Sequence, residues 1–156
     1  MTRILTIISL FILSFSFTEM LLPINNSTIN YTHVLFEWEQ IETAKYYQIQ
    51  LSTDADFSNV LTDTINESLI YIEKNNIEWN EEYYWKIRGL DDSQNPINDW
   101  SEILIFHTGE KRSNAETLIY NNQDIQDGLT IFSSFFDYFS AMIDRDGNEI
   151  WNTGDN

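Results

Sequence analysis

Tyr83-Tyr84-Trp85-Lys86-Ile87-Arg88 decides the fold. Tyr83, Trp85 and Ile87 alternate with Tyr84, Lys86 and Arg88, so one face of the segment is aromatic and aliphatic and the other polar. Successive side chains of an extended chain point to opposite sides, and a period of two therefore marks a half-buried β-strand. Working outward, the same alternation runs through Val34-Leu35-Phe36-Glu37-Trp38-Glu39 and Tyr47-Gln48-Ile49-Gln50-Leu51. Short strands also fit Val60 to Ile65, Leu69 to Ile72 and Ile103 to Thr108, the last set off by a polar loop, Asp91 to Asp99, that contains Pro96. Leu21-Leu22-Pro23-Ile24 and the polar run after it read as a first edge strand with Pro23 at its start, a place where a missing N–H is tolerated. Seven short strands over about 90 residues, with turn signals between them and no helical period, predict an all-β sandwich or barrel.

The side chains expected to share the dry interior are Phe36, Trp38, Tyr47, Ile49, Leu51, Tyr83, Trp85, Ile87 and Phe106. Burying each contributes roughly 1.5–3 kcal/mol, enough to stabilise a domain without disulfides. That matters because the 156-residue chain has no cysteine. Disulfides, thiolate nucleophiles and Cys-ligated zinc are thereby excluded. A formal net charge of −17 repels phosphate backbones and anionic membrane surfaces, so no nucleic acid is expected as a partner. Acidity of this size otherwise serves solubility.

The chain begins with Arg3 and an apolar stretch from Ile4 to Phe17. About 14 residues suit the apolar region of an export signal better than a membrane span of about 20. Residues 1–19 are read as a signal peptide, with a buried helix or an uncleaved anchor as the alternative, and no stable membrane insertion is expected once the signal is removed. A sandwich domain follows over 20–109, then a polar linker over 110–126. Residues 127–156 read as the start of a further β domain. There Gly128-Leu129-Thr130-Ile131-Phe132 is strand-like, and Asp146-Gly147 between two apolar runs signals a hairpin. One hairpin and one strand cannot bury their own apolar face. Phe132, Phe135, Phe136, Tyr138, Phe139 and Trp151 call for a partner.

From about Leu22 to Thr108 the chain resembles a bacterial fibronectin type III domain. Phe36-Glu37-Trp38, Tyr47 to Ser52 followed by Asp56-Phe57, Ile77 ahead of Tyr83-Tyr84-Trp85-Lys86-Ile87, and Trp100-Ser101 with Phe106 carry the likeness. The resemblance implies an immunoglobulin-like seven-stranded sandwich and puts Tyr83 at the tyrosine corner, its hydroxyl bonded to backbone. No Arg-Gly-Asp sequence is present, so integrin-type adhesion has no support. The tail from about Asp127 to Gly154, through Gly128-Leu129-Thr130-Ile131-Phe132 and then Met142 to Trp151, is similar to the opening of an arylsulfotransferase-like β-propeller. In that family a histidine accepts the sulfuryl group, and no position here matches it.

His33 and His107 are the two histidines. Without a neighbouring nucleophile or a regular carboxylate spacing they read as edge residues, neither catalytic nor zinc-binding. Asp144, Asp146, Asn148 and Glu149 offer oxygen at alternate positions, as calcium requires, but Gly147 comes too early for a calcium loop and a plain turn is favoured. Asp54, Asp56, Asp91 and Asp92 read as turn residues too. No cofactor and no metal are expected. Tyr46, Trp79 and Tyr84 are the candidate interaction surface, as exposed aromatics that stack on sugars or anchor a partner, against the alternative that they pack on neighbours. The sequons at Asn25, Asn26, Asn30 and Asn66 have meaning only on a eukaryotic secretory route.

Together these readings give an exported interaction or spacer module (secreted, periplasmic or on the cell surface) that presents an adjoining C-terminal domain of the same polypeptide. A protein or glycan is the further partner considered. The alternatives are the front of an arylsulfotransferase-like enzyme and a carbohydrate-binding module.

Overall fold

The computed structural model describes residues 19–114, 128–134 and 139–154. All regular structure among them is β. The expected signal, the segment 115–127 and the aromatics Phe135, Phe136 and Tyr138 lie outside the described residues.

Eight strands make the sandwich: β1 (Met20–Leu22), β2 (Ser27–Ile29), β3 (Val34–Trp38), β4 (Tyr46–Ser52), β5 (Val60–Asn66), β6 (Ile70–Glu73), β7 (Glu82–Leu90) and β8 (Leu104–Thr108). One sheet has the order β1-β3-β6 and the other β2-β8-β7-β4-β5. This is an all-β, fibronectin type III-like sandwich. The first strand differs from expectation. It is two strands, one in each sheet: Met20 lies opposite Trp38 in an antiparallel pair, whereas Ser27 lies opposite Phe106 in a parallel one. Pro23 has no N–H to continue a ladder. The chain turns just beyond it, with Ser27 N donating to Ile24 O at 3.0 Å, and so crosses from one sheet to the other.

Alternation decides which side chains meet between the sheets. The nine expected interior residues, Phe36 through Phe106, are each no more than 3% exposed. Phe36 projects from the three-stranded sheet and sets its ring edge-on to Trp85 (centroids 5.0 Å apart) and Phe106 (5.9 Å) of the opposite sheet. Trp38 and Tyr47 meet likewise across the gap at 5.7 Å, and Tyr83 stacks on Phe106 at 5.3 Å. Edge-to-face and offset pairs of this kind contribute about 0.5–1.5 kcal/mol each beyond area burial.

A polar fastening closes the β5–β6 edge. Glu73, 2% exposed on β6, accepts a hydrogen bond from Thr62 Oγ1 of β5 at 2.5 Å, from Tyr71 Oη at 3.1 Å, and from the main-chain N–H groups of Lys74 and Asn75 at 2.9 Å. Burial works against its ionisation, but these donors outweigh it and hold the carboxyl below its ordinary range. Burial and the Glu73 charge push the Tyr71 phenol up to about 12.

The C-terminal part is an antiparallel meander of β9 (Thr130–Ser134), β10 (Phe139–Ile143) and β11 (Glu149–Asn152), in the order β11-β10-β9. Among the described residues these three strands form an open sheet and no closed propeller, so the expected likeness to an arylsulfotransferase propeller gains no support from the fold. Phe132, Phe139 and Trp151 are half-buried.

Candidate functional site

The place where the meander meets the sandwich concentrates the unusual chemistry of the chain, and it is built from a turn upward. In Asp144-Arg145-Asp146-Gly147-Asn148, Asp144 Oδ1 accepts the N–H of Asp146 at 2.9 Å and of Asn148 at 2.8 Å, while Oδ2 accepts Asn148 Nδ2 at 2.9 Å. Burial opposes ionisation of Asp144, and these donors more than offset it, keeping the carboxyl below its usual value. Gly147 takes φ 87°, which a side chain resists, and the hairpin closes. The same device recurs at Asp91, whose Oδ1 accepts Ser93 N and Asn95 N, and at Asp54, which accepts Ser58 N and Asn59 N. These carboxylates are committed to their own turns.

The hairpin delivers β11 against the sandwich. Thr32 N donates to Ile150 O and Asn152 N to Asn30 O, both at 3.0 Å, with Tyr31 bridged to Trp151. The free edge of β11 is thus paired with the segment leading into β3. At its start stands Glu149, only 3% exposed. Its carboxylate accepts hydrogen bonds from the main-chain N–H of Arg112 at 3.0 Å, from that of Ser113, and from Asn152 Nδ2 at 2.7 Å. Its main-chain oxygen accepts the indole N–H of Trp79 at 2.8 Å. Asn152, 1% exposed, donates also to Glu110 O and accepts from Gly154 N. Arg112 reaches Gly154 O at 3.1 Å, and its guanidinium lies over the Phe139 ring at 5.5 Å. Residues 110–114, read from sequence as linker, are pinned along β11.

Trp79 is placed for this by the sandwich itself. Tyr83 Oη accepts the N–H of Glu78 at 2.7 Å, the bond expected of the tyrosine corner, and fixes the segment that carries Trp79. Thr108 Oγ1 at the end of β8 donates to Glu78 O and accepts from Glu81 N.

The other two candidate aromatics lie elsewhere. Tyr46 and Tyr84 are half-buried on the outer face of the five-stranded sheet, where Tyr84 lies opposite Ser52. Six residues of β4 separate Tyr46 from that point, or about 20 Å at about 3.4 Å per residue, so the three aromatics form no common platform. Tyr84 Oη is hydrogen-bonded to Glu82. The same face carries an arrangement that sequence reading did not single out. Lys86 Nζ lies 3.6 Å from the centroid of Phe57 and 4.9 Å from that of Trp100, and the Arg88 guanidinium covers Trp100 at 4.4 Å. Phe57 holds φ 57°, a conformation that bulky residues rarely adopt.

Beside the junction, a cleft of about 560 Å³ opens between the hairpin and the sandwich end, with His33, Lys74, Trp79, Lys111 and Asp146 among its lining. Burial first, and then the nearby Lys74 charge, lower the His33 pKa against an opposing pull from Asp144. His107 lies in a second hollow of about 540 Å³, its Nδ1 3.5 Å from Glu82 Oε2. Among the described residues no cluster of three His, Asp or Glu side chains could hold a metal ion. Asn152 and Glu73 were missed from sequence; Glu149 was weighed there only as a calcium oxygen, and its carboxylate instead takes Arg112, Ser113 and Asn152; Trp79 was found, but not its tie to β11.

No protein-family model matches the chain, and no curated protein does. Among solved structures it is similar to an Fn3-like protein from Clostridium thermocellum, at 12% identity over 58% of this chain and 98% of that one, with a TM-score of 0.42. It is also similar to an α-L-rhamnosidase from Dictyoglumus thermophilum, at 16% identity and TM-score 0.45, over 77% of this chain and 15% of the enzyme. A third likeness is to a Streptomyces avermitilis α-L-rhamnosidase complexed with L-rhamnose, at 13% identity and TM-score 0.43, over 76% and 12%.

Proposed function

We propose that the chain is a non-catalytic spacer and presentation module, exported by its N-terminal segment, that holds the β structure following it in a fixed orientation. One observation carries this reading. The buried Glu149 carboxylate ties β11 to residues 112 and 113, while its main-chain oxygen receives Trp79 of the sandwich. A flexible tether needs no such bonds; a presenting module does, because a buried carboxylate is costly unless its lone pairs are met. The basic start at Arg3 and the apolar run to Phe17 support export.

Hydrogen exchange of the full chain tests the junction. The N–H groups of Arg112, Ser113, Thr32 and Asn152 are expected to exchange as slowly as those of β10. Exchange at the rate of an open loop would remove the reading. Export is tested separately, by whether the N-terminal segment carries a reporter enzyme out of a bacterial cytoplasm.

A further inference from the structure

The cleft beside the junction has features that a spacer does not need. We infer that it binds a neutral saccharide, with the Trp79 indole as the platform for one sugar ring. This rests on the fixed junction proposed above, since the hairpin forms one wall.

Four observations converge. The volume, about 560 Å³, falls within the range of small-molecule sites. Trp79 is half-buried, and its N–H is committed to Glu149 O at 2.8 Å, so the ring is held before any ligand arrives and little side-chain entropy is lost on binding. Among the described residues no ring or cation stacks on Trp79, whereas Phe57 and Trp100 on the outer sheet face are already covered by Lys86 and Arg88. The rim then mixes signs and roles. Lys74 and Lys111 donate, Glu78 and Asp146 accept, and His33 as neutral imidazole does both. Sugar hydroxyls need donors and acceptors at once, and the apolar C–H face of a pyranose needs an aromatic surface. Charge argues against an anionic ligand: in the lining Lys74 and Lys111 stand against Glu78, Asp144, Asp146 and Glu149, and a chain of net charge −17 repels a polyanion.

Titration calorimetry of the full chain with cellohexaose, xylohexaose and mannohexaose tests this, with polygalacturonate as the anionic arm. At least one neutral hexasaccharide is expected to bind. Trp79→Ala should weaken that binding at least tenfold. Trp79→Phe, which keeps a ring, should stay within about fivefold of the wild type. Lys74→Ala with Asp146→Ala, both at exposed positions, should weaken it severalfold without altering the fold. Failure of every neutral hexasaccharide at about 1 mM overturns the inference, and so does binding of polygalacturonate alone. The Ser113 amide is followed in the same sample. No binding with that amide protected overturns the saccharide site and leaves the junction standing; rapid exchange there overturns the junction and the cleft with it.

Discussion

Replacing Glu149 by Ala removes an acceptor from three donors at once: two main-chain N–H groups and the Asn152 amide. A buried donor left without a partner costs about 1–3 kcal/mol. Three of them sum to about 3–9 kcal/mol, and partial opening toward water trims this to an expected loss of about 3–5 kcal/mol. The loss falls on the meander and its docking, because the side chains that interlock the two sheets, Phe36, Trp85 and Phe106, do not depend on it. Urea unfolding followed by amide spectra should therefore show residues 139–154 melting well before β4 and β7. Glu149→Gln keeps the volume and one acceptor oxygen but turns an NH₂ toward a donor, and should lose about half as much. A Glu149→Ala variant within about 1 kcal/mol of the wild type, with unshifted Arg112 and Ser113 amides, would refute the assignment of this carboxylate as the fastening.

Further expectations follow from the sandwich. Tyr83→Phe leaves the Glu78 N–H without its acceptor and should cost about 1–3 kcal/mol in urea unfolding. Phe36→Ala opens a cavity between the sheets and should cost about 3–5 kcal/mol, measured the same way. The Glu73 carboxyl titrates below its ordinary 4.5 in the folded chain, so its contribution is full above that value and is lost as pH falls through the folded pKa. Glu73→Gln should flatten that part of an acid-unfolding curve. Tyr71 is pushed up to about 12, so stability should decline as pH rises from 10 toward 12, the unfolded phenol ionising first; ultraviolet titration of the Tyr71→Phe variant should lose a late-ionising phenol relative to the wild type. At Phe57, with its φ of 57°, Gly should be more stable than Ala by about 1 kcal/mol in thermal unfolding.

The sandwich was legible because β3, β4 and β7 bury one side of the chain and wet the other, and strict alternation of large apolar and polar residues records that directly. Tyr83 was legible by position as well as type. The split of the first strand was not, since a proline marks an interruption without saying which sheet receives the chain on either side. The junction was least legible. Glu149 follows a turn and begins a strand, where a carboxylate reads as solvent-facing; only the arrival of Arg112 and Ser113, distant in sequence, makes its burial tolerable. Glu73 hid in the same way, its donors coming from β5 and from the turn after it. Trp79 stood out as an aromatic, but nothing local names a partner 70 residues away.

Whether the sandwich and the meander hold one orientation is measured most directly by residual dipolar couplings of the full chain. Couplings from β4 and β7 and those from β10 and β11 should fit a single alignment tensor, with β11 oriented as its pairing to Asn30 and Thr32 requires. Two tensors of different magnitude would contradict a fixed junction, and the presentation role would fall with it.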